Sequence, residues 1–324
     1  MKGLLFALVV VNALASIGVA DAQNYPSRPI TIVIPFAAGG PMDVVGRIVA
    51  EHMRISLGQT VIVENVVGAG GSIGVGRVAR AAADGYTLSY GGWPTHVING
   101  AAYALPYNVL SDFEPISLTA GAPWVIVTKQ AMQAKDLQEL ISWLKANPDK
   151  ALVGTAGAGS APHAFGALFQ VATGTRLQFV PYRGTGPALQ DLVAGQIDMM
   201  FDSPATALPQ MRADRIKAYA VTAKQRLPSA PDIPTAGEAG LPDVDISSWH
   251  ALWAPKGTAR DVVARLNSSV VDALANPALR QRLVDLGQEI PSRDLQSSQG
   301  FGAFQKAEIE KWWPVIKAAD IKGE

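Results

Sequence analysis

The groups best placed to do chemistry in this chain are bare backbone amides at the ends of apolar runs, not a cluster of titratable side chains. Residues 34–43 read Ile-Pro-Phe-Ala-Ala-Gly-Gly-Pro-Met-Asp. An apolar, β-branched run precedes them, and Val45, Ile48 and Val49 follow at helical spacing. Phe36, Ala37, Ala38, Gly39, Met42 and Asp43 therefore occupy a strand-to-helix turn. Gly39 and Gly40 remove side chains there, so amides can face whatever sits above the strand end, which is how a helix start holds an anion. A tight connection that binds nothing would use the same residues. Asp43 also has two readings: a carboxylate that stabilises the first helical turn, or an organiser of the loop and acceptor for a ligand hydroxyl or bridging water.

The arrangement recurs. After a strand over residues 61–63, Gly68, Ala69, Gly70 and Gly71 lead into a second helix that runs through Arg80. A third strand, residues 86–90, ends in Gly91-Gly92-Trp93-Pro94-Thr95-His96, read as a loop. There Trp93 is either a cleft wall or a packed core ring, with Thr95 beside it. Residues 151–154 form a short strand followed by Thr155, Gly157, Ser160 and His163, with Ser160 as an N-cap and Pro162 in the first turn. The strand over 177–180 ends in Tyr182, Arg183, Gly184, Thr185 and Gly186, before a helix with Leu189, Leu192 and Val193 on one face. Arg183 either grips a carboxylate directly or stays solvated. The strand over 197–201 ends at Asp202.

Successive strand-loop-helix units predict parallel sheets with ligand contacts at the strand ends. Extended residues over 116–129 lead to a helix over 136–146, where Leu137, Leu140, Ile141 and Leu144 share a face. A second set of α/β units follows. A Pro- and Gly-rich connection covers 227–243, and extended residues over 244–254 include Trp249 and Trp253. Thr258 and Asp261 resemble a capping box opening a long helix that ends at Asn276-Pro277. Helices over 278–286 and 299–319 complete the chain, the last burying Phe304, Trp312, Trp313 and Ile316. The expected fold is α/β with two lobes, each a mostly parallel sheet flanked by helices. Residues 23–121 and 247–324 form lobe 1, residues 122–246 form lobe 2, and the cleft lies between them.

Composition narrows the function. Residues 1–22 have the positive start, apolar centre and Ala20-Asp21-Ala22 cleavage site of a secretory signal, so the mature chain is expected to start near Gln23. With no cysteine, disulfide scaffolds, thiolate metal sites and cysteine nucleophiles are excluded. Lys and Arg together number 27, as do Asp and Glu, so no basic footprint for nucleic acid or an anionic membrane exists. Gly74-Val75-Gly76-Arg77-Val78-Ala79 matches a loose dinucleotide string but falls inside a predicted helix without the ribose-binding acid. Ser160 and His163, with Asp198, Asp202 or Asp43 as an acid, lack a nucleophile elbow. His52, His96, His163 and His250 have no metal-ligand spacing and read as surface or packing histidines. A soluble periplasmic protein without cofactor or metal is the expectation.

The loops also resemble a known family. Tyr25-Pro-Ser-Arg-Pro-Ile, Pro35-Phe-Ala-Ala-Gly-Gly-Pro-Met-Asp43, Leu57-Gly-Gln, Val63-Glu-Asn, Gly68-Ala-Gly-Gly-Ser-Ile-Gly74 and Asp84-Gly-Tyr-Thr-Leu88 are similar to motifs of the Bug, or TctC-like, proteins. These are the periplasmic substrate-binding proteins of tripartite tricarboxylate transporters. Val180-Pro-Tyr-Arg-Gly184, Ile197-Asp-Met-Met-Phe-Asp202, Pro231-Asp-Ile-Pro-Thr235 and Gly240-Leu-Pro extend the likeness over the mature chain. The resemblance implies a type II periplasmic binding fold, of the Venus-flytrap kind, that closes as a monomer on a small carboxylate and delivers it to a membrane permease. A membrane sensor is the alternative recipient. By the same resemblance, residues 36–43 and 68–71 surround one carboxylate through amides and ordered water. Residues 155–163 and 182–186, with Asp202, complete the cleft and select the rest of the ligand. Val66-Val67, Trp93 and Met42 depart from the family pattern and imply a smaller or less polar pocket. That favours a dicarboxylate or an apolar-bodied carboxylate over a citrate-like ligand.

Overall fold

The computed structural model describes residues 25–241, 247–318 and 321–323; the expected signal segment and the start of the second crossing near Asp245 lie outside these residues. The strands are β1 Ile30–Ile34, β2 Val61–Asn65, β3 Thr87–Gly92, β4 Phe113–Pro123, β5 Val125–Lys129, β6 Leu152–Thr155, β7 Gln178–Pro181, β8 Met199–Asp202, β9 Ile216–Val221 and β10 Ser247–Pro255. They form two sheets of five, in the orders β2-β1-β3-β10-β4 and β7-β6-β8-β5-β9. In the first, β1 is parallel to β2 and β3 while β10 is antiparallel to β3 and β4. In the second, β6 is parallel to β7 and β8 while β5 is antiparallel to β8 and β9. Four strands of each sheet thus run one way. The fifth, β10 or β5, is the strand that has just arrived from the other sheet.

The sequence dictates this arrangement through burial. Ile30, Ile32, Val33 and Ile34 of β1 are all fully buried, as expected for a strand covered on both faces by helices. The first covering helix, α1 (Pro41–Leu57), turns Val45, Ile48, Val49 and Met53 inward and stops at Gly58, whose φ of 65° suits a left-handed cap. Helices α2 (Ser72–Ala79), α3 (Asn99–Ala102), α4 (Leu137–Ala146), α5 (Ala161–Thr173), α6 (Thr185–Val193) and α7 (Pro204–Arg212) follow their strands in turn. Leu137, Leu140, Ile141 and Leu144 form the buried face of α4, and Asp136 caps it through the Glu139 amide.

The two sheets are joined where β4 passes to β5 through the single residue Trp124. The Trp124 amide donates to Thr222 Oγ1 at 2.8 Å and the Thr222 amide donates to the Trp124 carbonyl at 2.9 Å. Ser247, at the start of the returning strand, lies opposite Pro123.

Several expectations need correction. The third strand continues through Gly92, and residues 94–98 wind into a π-helical turn ahead of α3. Residues 91–96 are therefore no open loop. After β10 come α8 (Arg260–Ala275), α9 (Pro277–Asp285), α10 (Arg293–Gln296) and α11 (Ser298–Ala318). Ala259, not Thr258, is the N-cap of α8, because the Thr258 hydroxyl donates to the Pro255 carbonyl instead. Helix α11 buries Phe301, Gln305, Ile309, Trp312 and Ile316, whereas Phe304 and Trp313 are only partly covered. Polar bonds pin this helix to the first sheet: Trp253 Nε1 donates to Gln305 Oε1 at 3.0 Å and Trp249 Nε1 to Glu308 Oε2 at 3.0 Å.

Gly92 shows how tightly β3 meets β10. A Cβ there would lie 2.0 Å from the Trp249 carbonyl oxygen, which is backbone and cannot turn aside. Gly195, by contrast, has a φ of 76° and open space around it. We expect Gly92→Ala to cost about 3 kcal/mol through forced overpacking and Gly195→Ala about 1 kcal/mol through backbone strain alone. Urea unfolding of the two variants checks the order.

Candidate functional site

Four helix starts line the space between the sheets: those of α1 and α2 from the first, those of α5 and α6 from the second. An outer cavity of about 140 Å³ is bounded by Phe36, residues 68–71, Tyr103, residues 156–158 and residues 181–183. An inner cavity of about 40 Å³ is bounded by Phe36, residues 40–43, Pro94, Trp124, Ala156, Ala161, Pro162, Thr185, Ser248 and His250. Phe36 and Ala156 belong to both. A larger groove of about 750 Å³ lies elsewhere, between residues 223–228 and the flank and end of α9. It faces no helix start, so the two smaller cavities are the candidate site.

The first loop owes its shape to Asp43. Its carboxylate accepts from the Gly39 amide at 3.0 Å, from Asn65 Nδ2 at 2.9 Å and from Arg47 Nε at 3.0 Å. Asn65 also donates to the Phe36 carbonyl at 2.9 Å, tying the end of β2 to the end of β1. Burial alone would raise the Asp43 carboxyl, but the bonds from Arg47, Gly39 and Asn65 outweigh it and hold the group below its ordinary value. Asp43 is thus the organiser of the loop, with its acceptor capacity already used.

The second loop places Gly68, Ala69, Gly70 and Gly71 along the outer cavity. Gly70 and Gly71 have φ of 58° and 92°. A Cβ on Gly70 would lie 2.5 Å from the Tyr103 hydroxyl, and one on Gly71 2.8 Å from Thr95 Cγ2. The loops of the two sheets meet through backbone. The Ala37 amide donates to the Arg183 carbonyl at 3.3 Å, and the Tyr103 hydroxyl donates to the Ala158 carbonyl. A Cβ on Gly184 would lie 2.9 Å from the Ala37 nitrogen, and one on Gly186 2.7 Å from the Ala38 oxygen.

Of the residues singled out in the sequence, Phe36, Met42, Asp43, residues 68–71, Gly157, Tyr182, Arg183 and Thr185 border the cavities. Ala37, Ala38, Gly39, Gly184 and Gly186 form the contact between loops. Trp93 does not face the cleft. It is fully buried and packs edge-on against Trp312, with ring centroids 5.0 Å apart, in the core beneath α11. Thr95 turns inward as well, accepting from the Gly92 amide at 3.1 Å and meeting His96 Nδ1 at 2.9 Å. Thr155 accepts from the Gly157 amide at 3.4 Å and shapes that loop from behind. Ser160 stands at the N-cap of α5 but makes no capping bond. His163 accepts the Gly159 amide at 3.1 Å through Nδ1, stays out of both cavities and holds its loop.

Asp202 is fully buried behind the site. Its Oδ2 accepts from Thr206 Oγ1 at 2.8 Å while Oδ1 has no partner among the described residues. Burial pushes its carboxyl up to about 7, against lowering bonds from Thr206 and the Ser203 amide.

Sequence reasoning missed Tyr103, Trp124 and Ser248, and read His250 only as a surface or packing residue. All four border the cavities. Burial lowers His250 to about 4, so its imidazole is uncharged at neutral pH. Arg183 is the one cationic side chain on either cavity wall. Among the described residues no cluster of His, Asp or Glu could hold a metal ion, and no helix is long and apolar enough to cross a membrane.

Two sheets of this topology, joined by two crossings and facing each other through their strand-end loops, define a two-lobed periplasmic binding protein. Residues 45–321 match the model of the tripartite tricarboxylate transporter family receptor, TctC. The chain belongs to that family, one of substrate-binding receptors and not of enzymes. It is similar to the periplasmic binding protein BugD (38% identity, TM-score 0.88, 92% of this chain and 99% of that one). MatC (Rpa3494) from Rhodopseudomonas palustris with bound malate is 39% identical, with a TM-score of 0.87 over 90% of this chain and 100% of that one. R. palustris Rpa4515 with adipate is 31% identical, with a TM-score of 0.88 over 92% and 99%.

The Asp202 environment yields a prediction. Its folded-state pKa near 7 exceeds the ordinary carboxyl value of 3.8, so its contribution to stability is complete below pH 3.8 and is lost as pH rises towards 7. Asp202→Asn removes that titration. We expect the difference in unfolding free energy between the variant and the parent, from urea titrations, to shift in the variant's favour between pH 5 and pH 8, on the order of 1–3 kcal/mol.

Proposed function

We propose that the protein is a periplasmic receptor that captures a small carboxylate, a dicarboxylate or related organic acid, and delivers it to the membrane subunits of a tripartite tricarboxylate-type transporter. One observation carries the reading: the starts of α1, α2, α5 and α6 all border the two neighbouring cavities, while Arg183 supplies the only side-chain cation on their walls. Helix starts present unsatisfied amides and the positive end of the helix dipole, each worth about 0.3–1 kcal/mol towards an anion and more where water is excluded. An anion between them is neutralised mostly by backbone. A carboxylate fits because its two oxygens can accept several such donors at once. Its seat spans the two cavities, between residues 40–43 and 68–71 of one sheet and Gly157, Ala161, Arg183 and Thr185 of the other.

Malate in MatC and adipate in Rpa4515 support the same ligand class. Closure brings lobe 1, residues 23–121 and 247–324, against lobe 2, residues 122–246. Half of the amides come from each lobe, so the ligand is held fully only when they meet. Export by the signal over residues 1–22 puts the receptor where a permease can receive it.

A thermal-shift screen of mono-, di- and tricarboxylates against the mature protein tests the proposal. At one hundred times its Kd a true ligand adds about 2.7 kcal/mol, which raises the Tm of a chain this size by about 5 °C. Gly70→Val drives its side chain into the Tyr103 hydroxyl at a φ of 58°, and we expect it to abolish the shift while leaving a cooperative melt. Gly39→Val has open space and meets only the strain of its φ of 80°, so its ligand shift should shrink by strain transmitted to the Asp43 loop. No shift with any carboxylate, or an undiminished shift in both variants, would sink the reading.

A further inference from the structure

Three segments far apart in sequence converge on Tyr103, the residue that follows the short helix α3. Its hydroxyl donates to the Ala158 carbonyl, in the loop after β6 of the second sheet. A Cβ on Gly70 would lie 2.5 Å from that hydroxyl, and one on Gly159 would lie 2.7 Å from ring atom Cε2. Gly70 belongs to a loop of the first sheet and Gly159 to a loop of the second, so this edge of the ring stands in the seam between them. The opposite edge is covered too. A Cβ on Gly323 would collide with Cε1, Cζ and Cδ1 of the same ring. The ring is thus clamped by main chain, which has no rotamer with which to turn aside.

The segment that supplies Gly323 is itself anchored. The Ile321 amide donates to the Ile316 carbonyl at 3.1 Å and its side chain is buried, while the Gly323 amide donates to the Ala102 carbonyl at 2.8 Å. Helix α11 holds the turn before α3 through Trp313 Nε1, which donates to the Val97 carbonyl at 2.9 Å. Asn99, fully buried one turn before Tyr103, donates through Nδ2 to the Gly70 carbonyl at 2.9 Å. Residues 321–323, α3 and the loop over 68–71 are therefore bonded into one unit on the first sheet's side, and the Tyr103 hydroxyl carries that unit's grip to the second. Tyr103 also borders the outer cavity.

Resting on the carboxylate reading above, we propose that Tyr103 is a positioning residue that latches the closed form, and that residues 321–323 are its backstop, holding the ring where its hydroxyl reaches Ala158. The two ends of this bond belong to different sheets, so it exists only while the loops meet. A receptor that grips its ligand in the closed form has an apparent Kd that rises as the closed fraction falls. The latch therefore sets affinity without touching the ligand, and does so by the same factor for every ligand that closes the protein.

The test is calorimetry on the mature protein with the two carboxylates of largest thermal shift, starting from malate and adipate. Tyr103→Phe keeps the ring and removes only the donor. We expect it to weaken both acids by one common factor, about three- to tenfold for the loss of a single hydrogen bond, with the ligand-free melting temperature unchanged. Gly323→Ala displaces the ring and should weaken both acids to a similar degree. Added to Tyr103→Phe it should cost less than about twofold more, because the bond it acts through is already gone. Unchanged affinity in Tyr103→Phe overturns the latch and leaves the carboxylate receptor intact. A loss confined to one acid overturns it as well, since the hydroxyl would then be a contact to that ligand. Full additivity of the two substitutions, or no effect of Gly323→Ala, overturns the backstop. A parent protein that binds no carboxylate brings down the carboxylate reading and the latch together.

Discussion

The site depends first on the bond network around Asp43. A loop of small residues at a strand end has no reason of its own to hold one shape, since glycine opens conformations as readily as it permits the needed one. Asp43 closes that freedom by fixing the Gly39 amide four residues back, and Asn65 carries the constraint to the neighbouring strand by bonding both Asp43 and the Phe36 carbonyl. Arg47 balances the charge from the next turn of α1. The carboxylate works through its own loop; its effect on any ligand is to keep Phe36 and the start of α1 where they are.

The second constraint is proximity. Gly184 and Gly186 bring the second sheet's loop so near residues 37–40 that a methyl group at either position would collide with backbone. Contacts made by main chain have no rotamers to adjust, so the loops meet in essentially one way. Tyr103 adds a side-chain bridge from the first sheet to the Ala158 carbonyl, with its ring lying against Gly70 and Gly159. This meeting of the loops is therefore specified by absence of side chains as much as by their presence.

Much of this was legible in the sequence, for a local reason. Strands, helices and glycine turns are written in patterns a few residues long, so most strands and the glycine loops between residues 30 and 221 could be read with boundary shifts of one to three residues, whereas the helical turns over 94–102 and the helix Pro204–Arg212 were not. What could not be read was set by distant pairing. Trp93 follows a strand end and so looked like a cleft residue, yet its neighbour is Trp312 of the last helix, which covers it completely. Trp124 is the link between β4 and β5 and His250 lies on β10, and only the register that places Ser247 opposite Pro123 brings them to one cavity wall. Ser160 stands where a capping serine belongs but leaves its hydroxyl unpartnered, so the position was legible and the bond was not.

Neutralising an anion with helix starts from both sheets also suits a protein that must let go. A cation anchored in one lobe would keep holding its ligand after the lobes part, because an ion pair stays intact wherever its partner moves. Here Arg183 is exposed and stands alone among the cavity walls, while the other donors are divided between α1 and α2 on one side and α5 and α6 on the other. Separation of the sheets removes half of these dipoles and readmits water to the rest, and the field of a helix end fades within a turn of it. Affinity is then a property of the closed form. Release then needs only opening.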